Sequence, residues 1–336
     1  MKTIVSTAGK LLEQGEMITY EEAASLSACG DEHLFDLLHL ARKVTDKYMK
    51  KGVYLCSIIS AKTGACSENC SFCSQSIHST PLIPSQPMIE PAKMLDSAER
   101  AENDGASEFC IVTSGRSPDR STFNRVIEAV RLIRENTNLS IGCSLGLLTE
   151  EQAKELYGAG VNRYNHNLET SRSYFPHICS THTYDDRVKT ARMVKHVGME
   201  LCCGGIIGVG ESPEQRLELA FELRDINPTV VPINFLNPRP NTTLAKTTLT
   251  TALEALKYIA LFRLILPRAI IICAGGREVT LKSLQPLAIL AGANALITGN
   301  YLTTKGRRID EDKGMLDDLG MPIINHLQEG QVRDEF

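Results

Sequence analysis

The sequence predicts an α/β fold, a (β/α)8 TIM-type barrel with an N-terminal helical extension, and three observations carry that expectation. Eight short apolar, β-prone runs alternate with helix-like segments over about 250 residues. No GxGxxG follows the first run, which removes the main argument for an open doubly wound sheet. The unusual residues, closely spaced cysteines above all, fall where strands end, and a barrel gathers its chemistry on that face.

Residues 1–50 read as helices packed on the barrel. Thr19 and Glu22 have capping-box spacing, and 31–51 places Leu34, Leu37, Leu38 and Ala41 on one face. The β-prone runs are 53–60, 108–113, 139–145, 162–167, 200–208, 229–235, 268–274 and 293–299. Helical patterns lie between them at 121–135, 149–158, 185–197, 212–225, 251–262 and 281–291. Gly160, Gly198 and Gly292 stand where helices should stop before the next strand. The expected organisation is therefore a helical segment at 1–50, a barrel at 51–305 and a C-terminal tail at 306–336, with the acidic stretch 310–318 on solvated surface.

Composition narrows the function. In 336 residues, 36 Lys and Arg oppose 40 Asp and Glu for a net charge of −4, and no basic run offers a nucleic-acid track. A hydrophobic share of 43% with 23% charged residues fits a soluble globular chain. The uncharged stretch 283–304 is broken by Gln285, Pro286, Asn294 and Asn300, so it reads as core and not as a membrane span. The apolar run at the N-terminus is too short for a secretory signal, so a cytoplasmic location is expected. Eleven cysteines in a reducing compartment then argue for metal or redox chemistry over disulfides.

Cys66, Cys70 and Cys73 follow the first strand with C-x3-C-x2-C spacing, in a loop that contains Gly64. Three close thiolates are a metal or cluster site, a redox set or an accident of sequence, and two metal chemistries fit them. A structural zinc wants four ligands, and His78 could complete a Cys3His set. A 4Fe–4S cube needs one protein ligand per iron, so three cysteines leave one iron open to a small molecule. The spacing and position resemble the radical S-adenosylmethionine superfamily, in which the open iron chelates that cofactor. The resemblance sets Phe72 beside the adenine.

The run Tyr-Asn-His-Asn-Leu-Glu-Thr-Ser at 164–171 is polar and alternating, which would put Asn165, Asn167 and Glu169 on one face. Together with Lys62-Thr-Gly-Ala-Cys66, Thr183-Tyr-Asp-Asp-Arg187, Cys203-Gly-Gly-Ile-Ile-Gly-Val-Gly-Glu211, Pro232-Ile-Asn234 and Ala274-Gly-Gly-Arg-Glu278, it resembles the biotin synthase family. The resemblance implies a sulfurtransferase that inserts sulfur into dethiobiotin to give biotin. It implies a 4Fe–4S cluster and S-adenosylmethionine as cofactors, an electron donor such as flavodoxin or ferredoxin, and a homodimer. It assigns Asn167 and Glu169 to the cofactor's ribose hydroxyls, although the usual residue at 169 is Asp. Arg187 pairs with the methionyl carboxylate. Gly204 and Gly205 allow close backbone approach, Ile207 packs on the adenine, and Asn165, Asn167 and Asn234 bind the cyclic urea. The rival readings are a radical enzyme of the hydrogenase-cofactor maturation type and a metal-stabilised binding protein.

One departure concerns the sulfur source. Family members with a 2Fe–2S auxiliary cluster hold it with three cysteines and an arginine, of which this chain keeps Cys110 and Cys202. Gly142 and Ile272 occupy the other two positions, while Cys143, Cys203 and Cys273 each stand one residue later. The expectation is a rearranged auxiliary cluster, four-iron with an extra sulfide, on Cys110, Cys143, Cys202 and Cys273, with Cys203 as alternate. A one-residue step reverses a strand side chain, so three small buried hydrophobes are the competing reading. Cys29, Cys56, Cys179 and His166 read as packed residues.

Overall fold

The computed structural model describes residues 2–80 and 82–324. Three helices, α1 (Lys2–Ala8), α2 (Tyr20–Ser27) and α3 (Leu34–Tyr48), precede the first strand. Thr19 starts α2 through the expected box: its hydroxyl accepts from the Glu22 amide at 3.3 Å, and the Glu22 carboxylate accepts from the Thr19 amide at 2.9 Å. In α3 the predicted stripe of Leu34, Leu37, Leu38 and Ala41 is buried.

The barrel follows as β1 (Tyr54–Lys62), α4 (Pro91–Asn103), β2 (Glu108–Thr113), α5 (Arg120–Asn136), β3 (Ser140–Ser144), α6 (Glu150–Ala159) and β4 (Arg163–Asn165). It continues with α7 (Tyr184–His196), β5 (Glu200–Cys202), β6 (Gly205–Ile207), α8 (Pro213–Ile226), β7 (Val230–Phe235) and α9 (Ala252–Ile265). The last elements are β8 (Ile270–Cys273), α10 (Arg277–Thr280), α11 (Gln285–Leu290), β9 (Ala295–Thr298) and α12 (Ile309–Asp318). All pairings are parallel, in the order β5-β4-β3-β2-β1-β9-β8-β7-β6, and Cys202 of β5 also pairs with Val230 of β7. That last contact closes the barrel.

The expected fifth strand is present as two pieces, β5 and β6. A Cβ on Gly204, between them, would lie 2.0 Å from the Pro232 carbonyl oxygen. The backbone there presses against β7 and leaves the regular ladder. Gly160 ends α6 in the left-handed region at φ 112°, as its position predicted.

Alternation along the strands sorts two cores. Cys56, Glu108, Cys110, Gly142, Arg163, Cys202, Pro232 and Ile272 occupy inward positions, set by the register between neighbouring strands. Phe109, Ile111, Ile141, Tyr164, Leu201, Val231 and Ile271 belong to the outer core beneath the helices. Helix α9 is buried nearly all round, because α2 and α3 cover the side that faces away from the barrel.

Two elements differ from the sequence reading. Helix α4, with Pro91 in its first turn, was not among the helical patterns, although Met94, Ala98 and Ala101 form its buried stripe. In the supposed tail, α12 packs Met315 and Leu316 into the core. Asp312 there is fully buried and accepts from Arg277 Nη2 at 2.6 Å, so the acidic stretch is not wholly solvated surface. Beyond α12, Val53 exchanges backbone bonds with the chain at the base of β1: Val53 N to Pro322 O at 2.9 Å and Ile324 N to Val53 O at 3.0 Å. Residues 325–336 of the expected tail lie outside the described residues.

Candidate active site

Two cavities open at the C-terminal ends of the strands. The first, about 260 Å³, is bounded by Cys66, Cys70, Cys73, Glu169, His182 and Arg187. The second, about 340 Å³, runs down the barrel axis past Asn234 to Cys56, Cys202 and Ile272. They share a wall of Phe72, Cys73, Val112, Asn165, Asn167 and Leu302. A molecule in the first is therefore directly adjacent to one in the second.

The three cysteines of the first loop line the same cavity. Gly64 and Ala65 turn the chain with φ of 75° and 51°, and the Gln75 side chain accepts from the Gly64 amide at 3.0 Å. The Cys66 amide donates to Gln75 O and the Cys73 amide to Cys70 O, each at 3.0 Å, which folds the loop back on itself. All three thiols are free of disulfides. His78, the candidate fourth zinc ligand, is exposed, hydrogen-bonds toward the Ser67 carbonyl and does not line this cavity.

Opposite the cysteines, α7 begins with a capping box of Thr183 and Asp186, which directs Arg187 inward from the first turn. Arg187 Nη1 donates to Asn167 O at 2.8 Å and lies 3.4 Å from Glu169 Oε1, while its Nε donates to His182 Nε2 at 3.0 Å. His182 in turn hydrogen-bonds Glu68 through Nδ1. Burial raises the Glu169 carboxyl above its ordinary range, and the Arg187 cation opposes that rise. Glu169 stands at φ 70°, uncommon outside glycine, and its carbonyl accepts from the Ile206 amide at 2.7 Å. That backbone bond fixes the turn, and the Glu169 side chain lines the first cavity.

The glycines expected around the cofactor serve the protein backbone instead. A Cβ on Gly205 would meet the Glu169 carbonyl at 2.7 Å, and neither Gly204 nor Gly205 lines a cavity. The expectation for Ile207 is corrected by strand alternation. Ile207 packs in the outer core, and Ile206 faces the second cavity.

Three asparagines were expected to meet a substrate, and all three line the second cavity. Asn234 is already engaged, donating to Gly205 O at 3.2 Å and accepting from the Gly275 amide at 3.0 Å. Asn167 accepts from the Gly204 amide at 3.1 Å. Asn165 donates to Cys110 Sγ at 3.1 Å, and its Oδ1 is buried without a partner. An unsatisfied buried carbonyl beside a cavity suits an incoming N–H.

The expected auxiliary ligand set needs correction. Cys143, Cys203 and Cys273 lie in the outer core with the helices, not in the barrel interior. The one-residue step from an inward position turned them outward. Cys110 and Cys202 do face inward, and Cys56, read as a packed residue, joins them. Burial pushes the thiols of Cys56 and Cys202 up to about 12, with Arg163 opposing. Cys179, also read as packed, lies with its sulfur 3.8 Å from Cys70 Sγ and 3.3 Å from His182 Nδ1. His182 and Glu68 were missed altogether; His182 had a signal, standing next to the helix-capping Thr183.

Comparison with known proteins agrees with this geometry. The radical SAM superfamily model matches residues 61–223, and the Biotin and Thiamin Synthesis associated domain matches 232–322. A biotin synthase of Geobacter metallireducens is 46% identical over 323 residues, covering 96% of this chain and 98% of the relative. One from Rhodococcus jostii is 46% identical over 316 residues, covering 94% and 93%. Among solved structures, methylornithine synthase superposes with TM-score 0.81 at 23% identity, covering 95% of this chain and 97% of the other. The FeFe-hydrogenase maturase of Carboxydothermus hydrogenoformans gives 0.80 at 19%, covering 96% and 79%. Those two share the fold. With 44–46% identity to biotin synthases over nearly the full length of the chain, and a cysteine loop facing a cavity that Glu169, His182 and Arg187 also line, this chain belongs to the biotin synthase family.

Proposed function

We propose that the chain converts dethiobiotin to biotin by radical insertion of sulfur between two unactivated carbons, using S-adenosylmethionine. The observation that carries the reading is the shared wall of the two cavities, which would hold a cofactor and a substrate side by side. The residues fit the implied 4Fe–4S group: three free thiols converge on one cavity, and soft thiolates are the donors such clusters take. Cys66, Cys70 and Cys73 would hold it, and the chemistry supplied when it is bound is reductive cleavage of the sulfonium to a 5′-deoxyadenosyl radical.

Arg187 binds the methionyl carboxylate of the cofactor, Asn167 and Glu169 its ribose hydroxyls, and Phe72 lies beside its adenine. Asn165 Oδ1 accepts an N–H of the cyclic urea. Val112, Ile206, Phe235, Leu236 and Ile272 keep water from the reacting carbons. Two C–H bonds break and two C–S bonds form; the two hydrogen atoms leave in two molecules of 5′-deoxyadenosine, and an auxiliary centre, when bound, would supply the sulfide and take up the two electrons it gives up. In this reading the sulfide would come from a rearranged auxiliary centre larger than 2Fe–2S, as the family resemblance implies; Gly142 and Ile272 offer no ligand atoms for the 2Fe–2S arrangement. A flavodoxin or ferredoxin donor, a homodimer and a cytoplasmic location follow from the family resemblance. No helix among the described residues is long and apolar enough to cross a membrane.

The test is anaerobic incubation of the iron- and sulfide-reconstituted protein with dethiobiotin, S-adenosylmethionine and a strong reductant. Biotin should form, and Cys66→Ala should abolish 5′-deoxyadenosine. Cofactor cleavage without biotin would instead select a relative of the hydrogenase-cofactor maturation type.

A further inference from the structure

The loop between β7 and α9 begins Asn237-Pro-Arg-Pro-Asn241. Proline on each side of Arg239 narrows the backbone: Pro240 disfavours helical torsions at Arg239, and Pro238 has its own φ fixed by the ring. Hydrogen bonds then hold the loop in place. The Arg239 carbonyl accepts from the Thr242 amide and from the Thr242 hydroxyl, each at 3.0 Å. The turn is tied to the cysteine loop and the chain just after it. Asn241 O accepts from the Thr80 amide at 3.0 Å, Asn241 Nδ2 donates to Ser74 O at 3.2 Å, and Thr243 Oγ1 donates to Ser71 O at 3.2 Å. Pinned in this way on the C-terminal side of the barrel, Arg239 is half-buried and lines the second cavity.

Among the described residues, Arg239 is the one cation that lines this cavity. The one carboxylate on the lining, Glu108, is already ion-paired with Arg163. No described residue forms a hydrogen bond or ion pair with the Arg239 guanidinium. The same cavity carries the unpaired Asn165 Oδ1 and apolar walls from Ile206, Phe235 and Leu236. Its lining thus offers an acceptor for an N–H, a surface for a saturated chain and a cation without a counter-ion. A planar guanidinium takes a carboxylate through two parallel N–H bonds. Dethiobiotin has the matching parts: a cyclic urea, a saturated chain and a terminal carboxylate.

We infer that Arg239 binds the terminal carboxylate of dethiobiotin and makes the enzyme selective for substrates whose chain ends in an acid. The inference rests on the reading of the second cavity as the dethiobiotin site and adds its anion-recognising residue. With the urea on Asn165 and the carboxylate on Arg239, the substrate is not turned end for end. Its ring carbons then stay at the wall shared with the first cavity. The flanking prolines and the bonds to the cysteine loop fix the Arg239 backbone beforehand, so little order is lost when the carboxylate docks.

The test compares dethiobiotin with dethiobiotin amide, in which a neutral group of nearly the same size replaces the acid. Anaerobically reconstituted wild-type holoprotein, Arg239→Gln and Arg239→Lys are each given both compounds with S-adenosylmethionine and a strong reductant. Mass spectrometry of the sulfur-containing products gives KM and kcat. For the wild type, KM should be roughly 10- to 100-fold higher for the amide than for the acid, with kcat little changed, because a charge-assisted pair is lost. Arg239→Gln should raise KM for the acid by a similar factor and treat acid and amide alike, and Arg239→Lys should recover part of the preference for the acid. Equal KM values for acid and amide in the wild type would overturn the assignment without any variant having to fold. An undiminished preference for the acid in Arg239→Gln, as a merely structural role would give, would overturn it too. Wild-type protein that makes no biotin would overturn the dethiobiotin reading itself, and the assignment with it.

Discussion

Arg187 ties three parts of the cofactor cavity together through the Asn167 carbonyl, the Glu169 carboxylate and the His182 ring. A lysine has one point charge and no planar fork, so it cannot meet the backbone and a methionyl carboxylate together. Hydrogen bonds to charged groups contribute about 1.5–3 kcal/mol, so Arg187→Lys should weaken S-adenosylmethionine binding roughly 10- to 100-fold. Equilibrium binding to the anaerobic holoprotein measures this, and an unchanged dissociation constant would remove Arg187 from the cofactor site. Such residues were legible in the sequence because their motifs combine unusual residue types at fixed spacing. Glu68 was not, because Thr181 and His182 stand more than a hundred residues away; Cys179 was not, because it meets Cys70 only once the cysteine loop folds against the segment before α7.

At the scale of the strand, the most informative element is the broken fifth stave. Its two glycines were legible as a place of close approach, but not what approaches them. Pro232 O fills the space beside Gly204, whereas Gly158 in α6 has nothing within 4 Å of the place a Cβ would take. Gly204→Ala should therefore destabilise the fold by about 1–3 kcal/mol through overpacking. Gly158→Ala should stabilise it by about 0.5–1 kcal/mol through helix propensity. Denaturant unfolding of the two variants checks the contrast; similar effects would contradict the close approach at β7. Strand alternation also explains why inward and outward cysteines were not told apart. Parallel barrel strands are apolar on both faces, so their sequence does not mark which residues point inward. Cys56 therefore resembled any packed cysteine, and Cys143 and Cys273 resembled displaced ligands, until the register fixed the directions.

Across the whole molecule, the alternation of runs and helices was enough to name the barrel, and the covering of α9 by α2 and α3 explains its apolar character on all sides. The C-terminal helix was hidden by its charge. Asp310, Glu311 and Asp312 look like a solvated face, yet Asp312 crosses to Arg277 behind β8. No local pattern carries that pairing, since the partners are 35 residues apart. What the architecture does as a whole is place the cysteine-lined cavity and a second, largely apolar cavity on either side of one wall. Deuterium placed on the two carbons of dethiobiotin that receive sulfur tests that arrangement most directly. In anaerobic turnover, mass spectrometry should find the label in 5′-deoxyadenosine, with two molecules formed per biotin. Biotin accompanied by unlabelled 5′-deoxyadenosine would contradict it.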